Sequence, residues 1–229
     1  IVQGLPFPKT MRWGSLRVSF ARPIQTLLAL FGNDVVSFRV GDVESGSKSF
    51  GHRFLKPERI EIEHPDQYIE KLRDAFVIVD IDERREAVRE GVAKAAEKAG
   101  GIVLPDEELL DIVTNLVEFV APVVGRFESK YLEIPDEVLI TAMREHQKYF
   151  AVVDDAGHLI NAFIAVNNTL ARDMALVAQG HERVLRARLE DARFFYQGDS
   201  ERDMEVWVEA LKGVLFQAKL GSMYDKVGR

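Results

Sequence analysis

The stretch KYFAVVDDAGHLINAFIAV, residues 148–166, constrains the fold most. Two apolar runs flank an Asp-Ala-Gly turn, so the segment reads as two strands joined by a tight reversal. It commits part of the chain to a sheet, and the segments before it supply helices. DERREAVREGVAKAAEKAGG, residues 82–101, opens with acids and ends in a Gly-Gly stop. PDEELLDIVTNLVEFV, residues 105–120, starts with Pro105 and puts carboxylates in its first turn, where the helix dipole favours them. PDEVLITAMREHQ, residues 135–147, repeats that signature.

The first sixty residues read as loops and strands. RPIQTLLALFG is expected as a short helix ending at Gly32, DVVSFRV as a strand, and GDVESGSKSFGHRF as a Gly/Ser-rich loop entering another strand. RIEIE alternates as a half-buried strand does, and AFVIVDID is a continuous apolar run of buried-strand length. From Leu170 onward the pattern is helical. The fold class is therefore α+β: a mixed or antiparallel sheet domain with packed helices over residues 1–165, followed by a helical segment over 166–229.

A chain of 229 residues, 47% hydrophobic, buries a sizeable core. It has no apolar run long enough for a transmembrane helix, and its opening residues lack a signal-peptide pattern. With no cysteine it has neither disulfides nor thiolate metal sites, which fits a cytoplasmic location. The absence of an initiator Met and of a terminal cap suits a fragment of a longer protein. The net charge of −7 opposes nucleic-acid binding by the whole surface. Its distribution is uneven: residues 1–60 carry a net +5 and residues 61–120 a net −9. A basic face on an acidic body is one outcome of that asymmetry.

Catalytic motifs are missing. GDVESGSKS looks like a phosphate loop, but Ser47 follows Gly46 where the lysine belongs, so Lys48 and Ser49 come one place late. The five histidines show no i, i+3 or i, i+4 pairing and no H-E-x-x-H, and there is no G-x-S-x-G elbow. No catalytic and no metal-ligating residue is assigned.

Two dense stretches remain. On a helix through residues 136–150, His146 falls on the same stripe as Leu139, Ala142 and Met143, whereas Arg144 and Lys148 fall on the opposite face. His146, Tyr149 and Phe150 are thus expected to pack inward, and the two cations to face out, where an anion would relieve their repulsion. In GHERVLRARLEDARFFYQGD, residues 180–199, Arg183, Arg186 and Arg193 share a polar arc with Glu190. Arg188 and Asp191 fall inside the apolar arc, three apart, and are expected to pair or to meet another domain or subunit.

Several segments together resemble a known family: FPKTMRWG, RPIQTLLALFG, GHRFL, ITAMREHQKYFAV, ERVLRARLEDARFFY and KLGSMYDKVGR occur in this order. The chain resembles the β subunit of the two-subunit bacterial glycyl-tRNA synthetases, over nearly its whole length and as an N-terminal region. It departs in small ways: His181 stands where the family usually has Asn, Gly228 where Glu is usual, and VEFVAPVVG is looser than the usual Glu-Trp-Pro.

The resemblance implies an α/β hetero-oligomer that attaches glycine to tRNA(Gly), with ATP and Mg²⁺ held by the α subunit and no cofactor on this chain. It implies that residues 1–165 are similar in kind to the editing-type domain of phenylalanyl-tRNA synthetase β, and that residues 166–229 begin an HD-type helical domain. Candidate tRNA contacts are then Arg144, Lys148, Arg183, Arg186, Arg193, Lys9, Arg12 and Arg53, made mainly to phosphates. Two rival readings stand beside tRNA binding. One is a scaffold that only joins subunits. The other is an editing deacylase built on His146 or His181, disfavoured because no smaller amino acid competes with glycine.

Overall fold

The computed structural model describes residues 1–228. The N-terminal part is built from short strands. β1 (Leu27–Leu28) runs parallel to β5 (Val43–Gly46), which pairs antiparallel with β4 (Arg39–Val40), while β2 (Leu30–Phe31) and β3 (Asp34–Val35) form a hairpin. β6 (Lys48–Phe50) and β7 (Arg59–Glu61) form a second hairpin, with Phe50 opposite Arg59.

Two expectations fail here. RPIQTLLALFG is extended rather than helical, because Pro23 and Gly32 bracket too few residues to offset helix nucleation. The Ala29 N–H donates instead to the Gly46 carbonyl. Gly32, with φ of 57°, opens the turn into β3. GDVESGSKSFGHRF enters a strand, β6, as expected, but the part read as loop is itself the strand β5.

After α1 (Tyr68–Arg73), the run AFVIVDID joins no sheet, contrary to expectation: it begins in a turn, and its last two residues, Ile81 and Asp82, open the next helix. Phe76 takes a left-handed conformation, φ 62°. Arg84 then donates to the Ile78, Val79 and Thr114 carbonyls, at 2.5, 3.4 and 2.9 Å, and stands in for a neighbouring strand. The Ile78 N–H donates to the Glu118 carbonyl.

The central body follows. α2 (Ile81–Ala99) is capped by Asp80, whose carboxylate accepts from the Asp82 and Glu83 N–H groups, and it stops at left-handed Gly100. β8 (Ile102–Val103) leads to α3 (Glu107–Leu116), capped by Asp106. Next come β9 (Ala121–Arg126), α4 (Asp136–Gln147), β10 (Phe150–Val153) and β11 (Leu159–Asn167). These strands form one antiparallel sheet in the order β8-β10-β11-β9.

Side-chain alternation assigns the two faces of that sheet. Phe150, Val152, Ala162 and Ile164 pack against α2 and α3 in one apolar cluster. Tyr149, Ala151, Val153, Phe163 and Ala165 join the other, with Leu139 and Met143 of α4. Leu185 and Leu189 of α5 (Met174–Ser200) complete that second layer. Cover on both faces explains why the two strands read as continuous apolar runs.

Beyond α5 the chain forms α6 (Met204–Ala210), a small hairpin of β12 (Leu215–Gln217) and β13 (Gly221–Ser222), and α7 (Met223–Val227). That hairpin corrects the expectation of continuous helix from Leu170. The class is α+β, as expected.

One cross-strand pair locks the sheet. Phe163 of β11 lies directly opposite Gly125 of β9 and is fully buried. A β-carbon at Gly125 would fall 2.6 and 2.7 Å from the Cε1 and Cε2 atoms of that ring. The missing side chain lets the ring lie across the edge strand. On its other side Phe163 stacks on Tyr149, with centroids 4.6 Å apart and planes 16° apart. Gly125→Ala overpacks this stack. It is expected to destabilise the protein by about 1–3 kcal/mol in urea titration, and an unchanged midpoint would contradict the lock.

Candidate nucleic-acid interface

The cations singled out in the sequence divide into two groups. Arg144 faces out from α4 but is not free. Its guanidinium donates to Asp106 (2.6 Å), Glu108 (2.5 Å) and Glu145, and only 23% of the side chain is exposed. Asp106 also caps α3, so Arg144 ties α4 to the start of α3. These three carboxylates raise the Arg144 pKa. Burial disfavours the charged form of Asp106, yet Arg144 and the Leu109 N–H together hold its carboxyl below the usual carboxylate range. Lys148 ends the helix in a left-handed conformation, φ 57°, with Glu145 at 3.7 Å. Arg186 approaches Glu128 (3.4 Å) and Arg193 approaches Glu133 (3.9 Å). The expectation that the candidate contacts face out with their charge available to an anion is therefore corrected for these four.

The second group fits that expectation. Among the described residues Lys9, Arg12, Arg53 and Arg183 are exposed and carry no ion pair. Three of these four lie in the basic first sixty residues. Sequence reading missed Lys56 and Arg59 in the same region, also exposed and without an acid partner. Residues 61–120 contrast with this: Arg73, Arg85, Arg89 and Lys94 are each held by Glu or Asp.

The expected inward residues also separate. Tyr149 and Phe150 are buried. His146 is exposed, a correction to its place on the apolar stripe. α4 ends one residue later and the chain reverses through Lys148, with the Tyr149 N–H donating to the Met143 carbonyl. Helical periodicity gives a direction, but nothing stands there for the ring to meet. Arg188 and Asp191 are likewise exposed, and no ion pair joins them. α5 buries only Leu185 and Leu189, so the apolar arc they interrupt is open: Phe194 is 73% exposed and Phe195 64%.

Of the two histidines weighed for an editing site, His181 is the one that packing recruits. Tyr149 Oη lies 2.8 Å from its Nδ1, and its Nε2 lies 2.9 Å from Asn167 Oδ1. The Asn167 oxygen only accepts, so Nε2 carries the proton and Nδ1 accepts from the tyrosine. Both nitrogens are thus engaged. Burial lowers the His181 pKa and pushes Tyr149 up to about 12. Among the described residues no group of three or more His, Asp or Glu is placed to hold a metal, and no helix is long and apolar enough to cross a membrane.

These features define a chain of the aminoacyl-tRNA synthetase class when it is set beside known proteins. The sequence model described as glycyl-tRNA synthetase beta subunit matches residues 1–229. The chain is 57% identical over its full length to the glycine–tRNA ligase beta subunit of Desulforapulum autotrophicum, 55% to that of Desulfatibacillum aliphaticivorans and 48% to that of Geobacter sulfurreducens. It spans about a third of the length of these relatives, 33% in each case. The chain belongs to the glycyl-tRNA synthetase beta subunit family.

The His181 contacts give a pH signature. Its folded pKa lies below the unfolded value of about 6.5, so the neutral ring's contribution is complete above that pH. As pH falls below about 6.5 the unfolded chain takes up the proton first, and the contribution fades towards the lowered native value. His181→Gln is expected to flatten the decline in melting temperature between about pH 7 and pH 5. An unaltered decline in that variant would remove His181 as its source.

Proposed function

We propose that this chain is the part of the β subunit that supports ATP-dependent attachment of glycine to tRNA(Gly) by holding the tRNA, without itself carrying the aminoacylation site. ATP and Mg²⁺ belong at the catalytic α subunit, the partner in a cytoplasmic α/β hetero-oligomer, and residues 166–229 lead into an HD-type helical domain. The supporting observation is the division of cations: in residues 61–120 four of the seven are held by carboxylates, whereas in residues 1–60 only Arg39 and Lys48 of the nine are. Unpaired exposed cations meet phosphates without first breaking an internal ion pair.

A second reading has its own support. The open apolar arc of α5, with Phe194 and Phe195 exposed, suits a surface that joins subunits or domains. The two readings part on salt dependence. In the full α/β enzyme, Lys9→Gln, Arg12→Gln and Arg183→Gln combined are expected to weaken tRNA(Gly) binding. They should also lower the slope of log affinity against log salt by about 0.7–0.9 for each phosphate no longer neutralised. Arg144→Gln is expected to lower the melting temperature and leave that slope unchanged. Wild-type affinity and slope in the triple variant would leave the scaffold reading in its place.

A further inference from the structure

The hairpin of β6 and β7 presents two phenylalanines to solvent, each beside an arginine. Phe50 is 41% exposed, with the Arg59 guanidinium 5.5 Å from its ring centroid. Phe54, in the connecting loop, is 73% exposed, with the Arg53 guanidinium 5.9 Å away. Two exposed rings, each with a guanidinium near its face, thus occur on one hairpin. Residues 51–59 also carry Lys56, against a single acid, Glu58. Of the nearby carboxylates, Glu61 is taken up by Ser47 and Lys48, and Glu44 by Arg39. Beside Phe50 lies a cleft of about 320 Å³, lined by Gln25, Ser47, Lys48 and Arg59 among others.

The loop holds these side chains out on a fixed base. His52 is 1% exposed. Its Nε2 meets the Asn168 carbonyl, and its Nδ1 accepts from the Phe54 and Leu55 N–H groups. Its own N–H donates to the Ala75 carbonyl, and its carbonyl accepts from the Lys56 N–H. Gly51 sits so close to the body that a β-carbon would lie 2.5 Å from the Lys56 oxygen and 2.8 Å from Ala75 Cβ. In GHRFL, therefore, close-packed Gly51 and buried His52 are the anchor, and Arg53 and Phe54 are what the anchor displays.

From this we infer that the hairpin is a stacking site for unpaired RNA nucleotides, with bases laid on Phe50 and Phe54 and phosphates met by Arg53, Lys56 and Arg59. Aromatic faces accept any base, and arginine planes stack with bases as well as binding phosphate. The inference deepens the tRNA-binding reading and rests on it.

Phe54→Leu and Phe50→Leu keep the apolar bulk and the charge but remove the flat ring. In the full α/β enzyme each is expected to weaken tRNA(Gly) binding by about five- to a hundredfold, the usual worth of one stacked base. The salt slope should stay unchanged, because every cation that meets a phosphate remains in place. A blunt RNA duplex with no unpaired nucleotide should bind both variants as it binds wild type. Phe54→Trp restores a stacking face, and recovery of affinity there separates a missing base stack from a damaged fold. Wild-type tRNA affinity in both leucine variants, beside weakened binding in the Lys9/Arg12/Arg183 variant, would overturn the stacking site and leave tRNA binding standing. Wild-type affinity in all of them would overturn both. Failure of α/β assembly in the leucine variants, with tRNA binding unchanged, would assign the rings to a protein interface and also overturn the inference.

Discussion

The fold depends on an aromatic ring resting on a residue with no side chain. Phe163 occupies the space that any side chain at Gly125 would need, and it carries Tyr149 stacked on its other face. Tyr149 in turn hands its hydroxyl to His181 on α5. Edge strand, central strands and long helix are therefore fixed by one column of contacts. It adds to what buried Leu185 and Leu189 supply, and to Glu182 and Glu190 of α5, which accept from the Arg126 N–H of β9 and from the Tyr131 hydroxyl.

The longer helices were legible because their signals are local. Asp80, Asp106 and Asp173 each cap the helix that follows, and Gly100 ends α2, all within a few residues of the boundary they set. The hairpin of β10 and β11 was legible for the same reason. What sequence left hidden depends on partners far along the chain. The apolar run at 75–82 is not a strand because Arg84 takes its carbonyls and Glu118 receives its N–H. The short N-terminal strands exist only through their pairings, which no periodicity announces.

The candidate site divides along the same line. Arg144 looked free because Asp106 is 38 residues away, and no helical wheel brings the two together. Arg53 was visible as a cation, but its significance lies in Phe54 beside it and in His52 beneath, which only the folded loop reveals. His146 and His181 exchanged roles: the one on the apolar stripe is exposed, and the one near the start of α5 is drawn into the core contacts. Charge segregation in the sequence did carry meaning, although less through total charge than through which cations had already found acids.

Asn167 and Asn168, at the end of β11, reach in different directions. The side chain of the first holds His181 of α5, while the carbonyl of the second meets His52 beneath the GHRFL loop, and its side chain accepts from the Glu118 and Phe119 N–H groups. The two imidazoles are thus moored to neighbouring peptide units. A force applied at the tip of the β6–β7 hairpin enters a helix about 40 Å long through one peptide link, without crossing the hydrophobic interior. The strand end is thus a mooring shared by the β6–β7 hairpin and α5, and the spacing of two adjacent residues fixes how far apart their anchors sit.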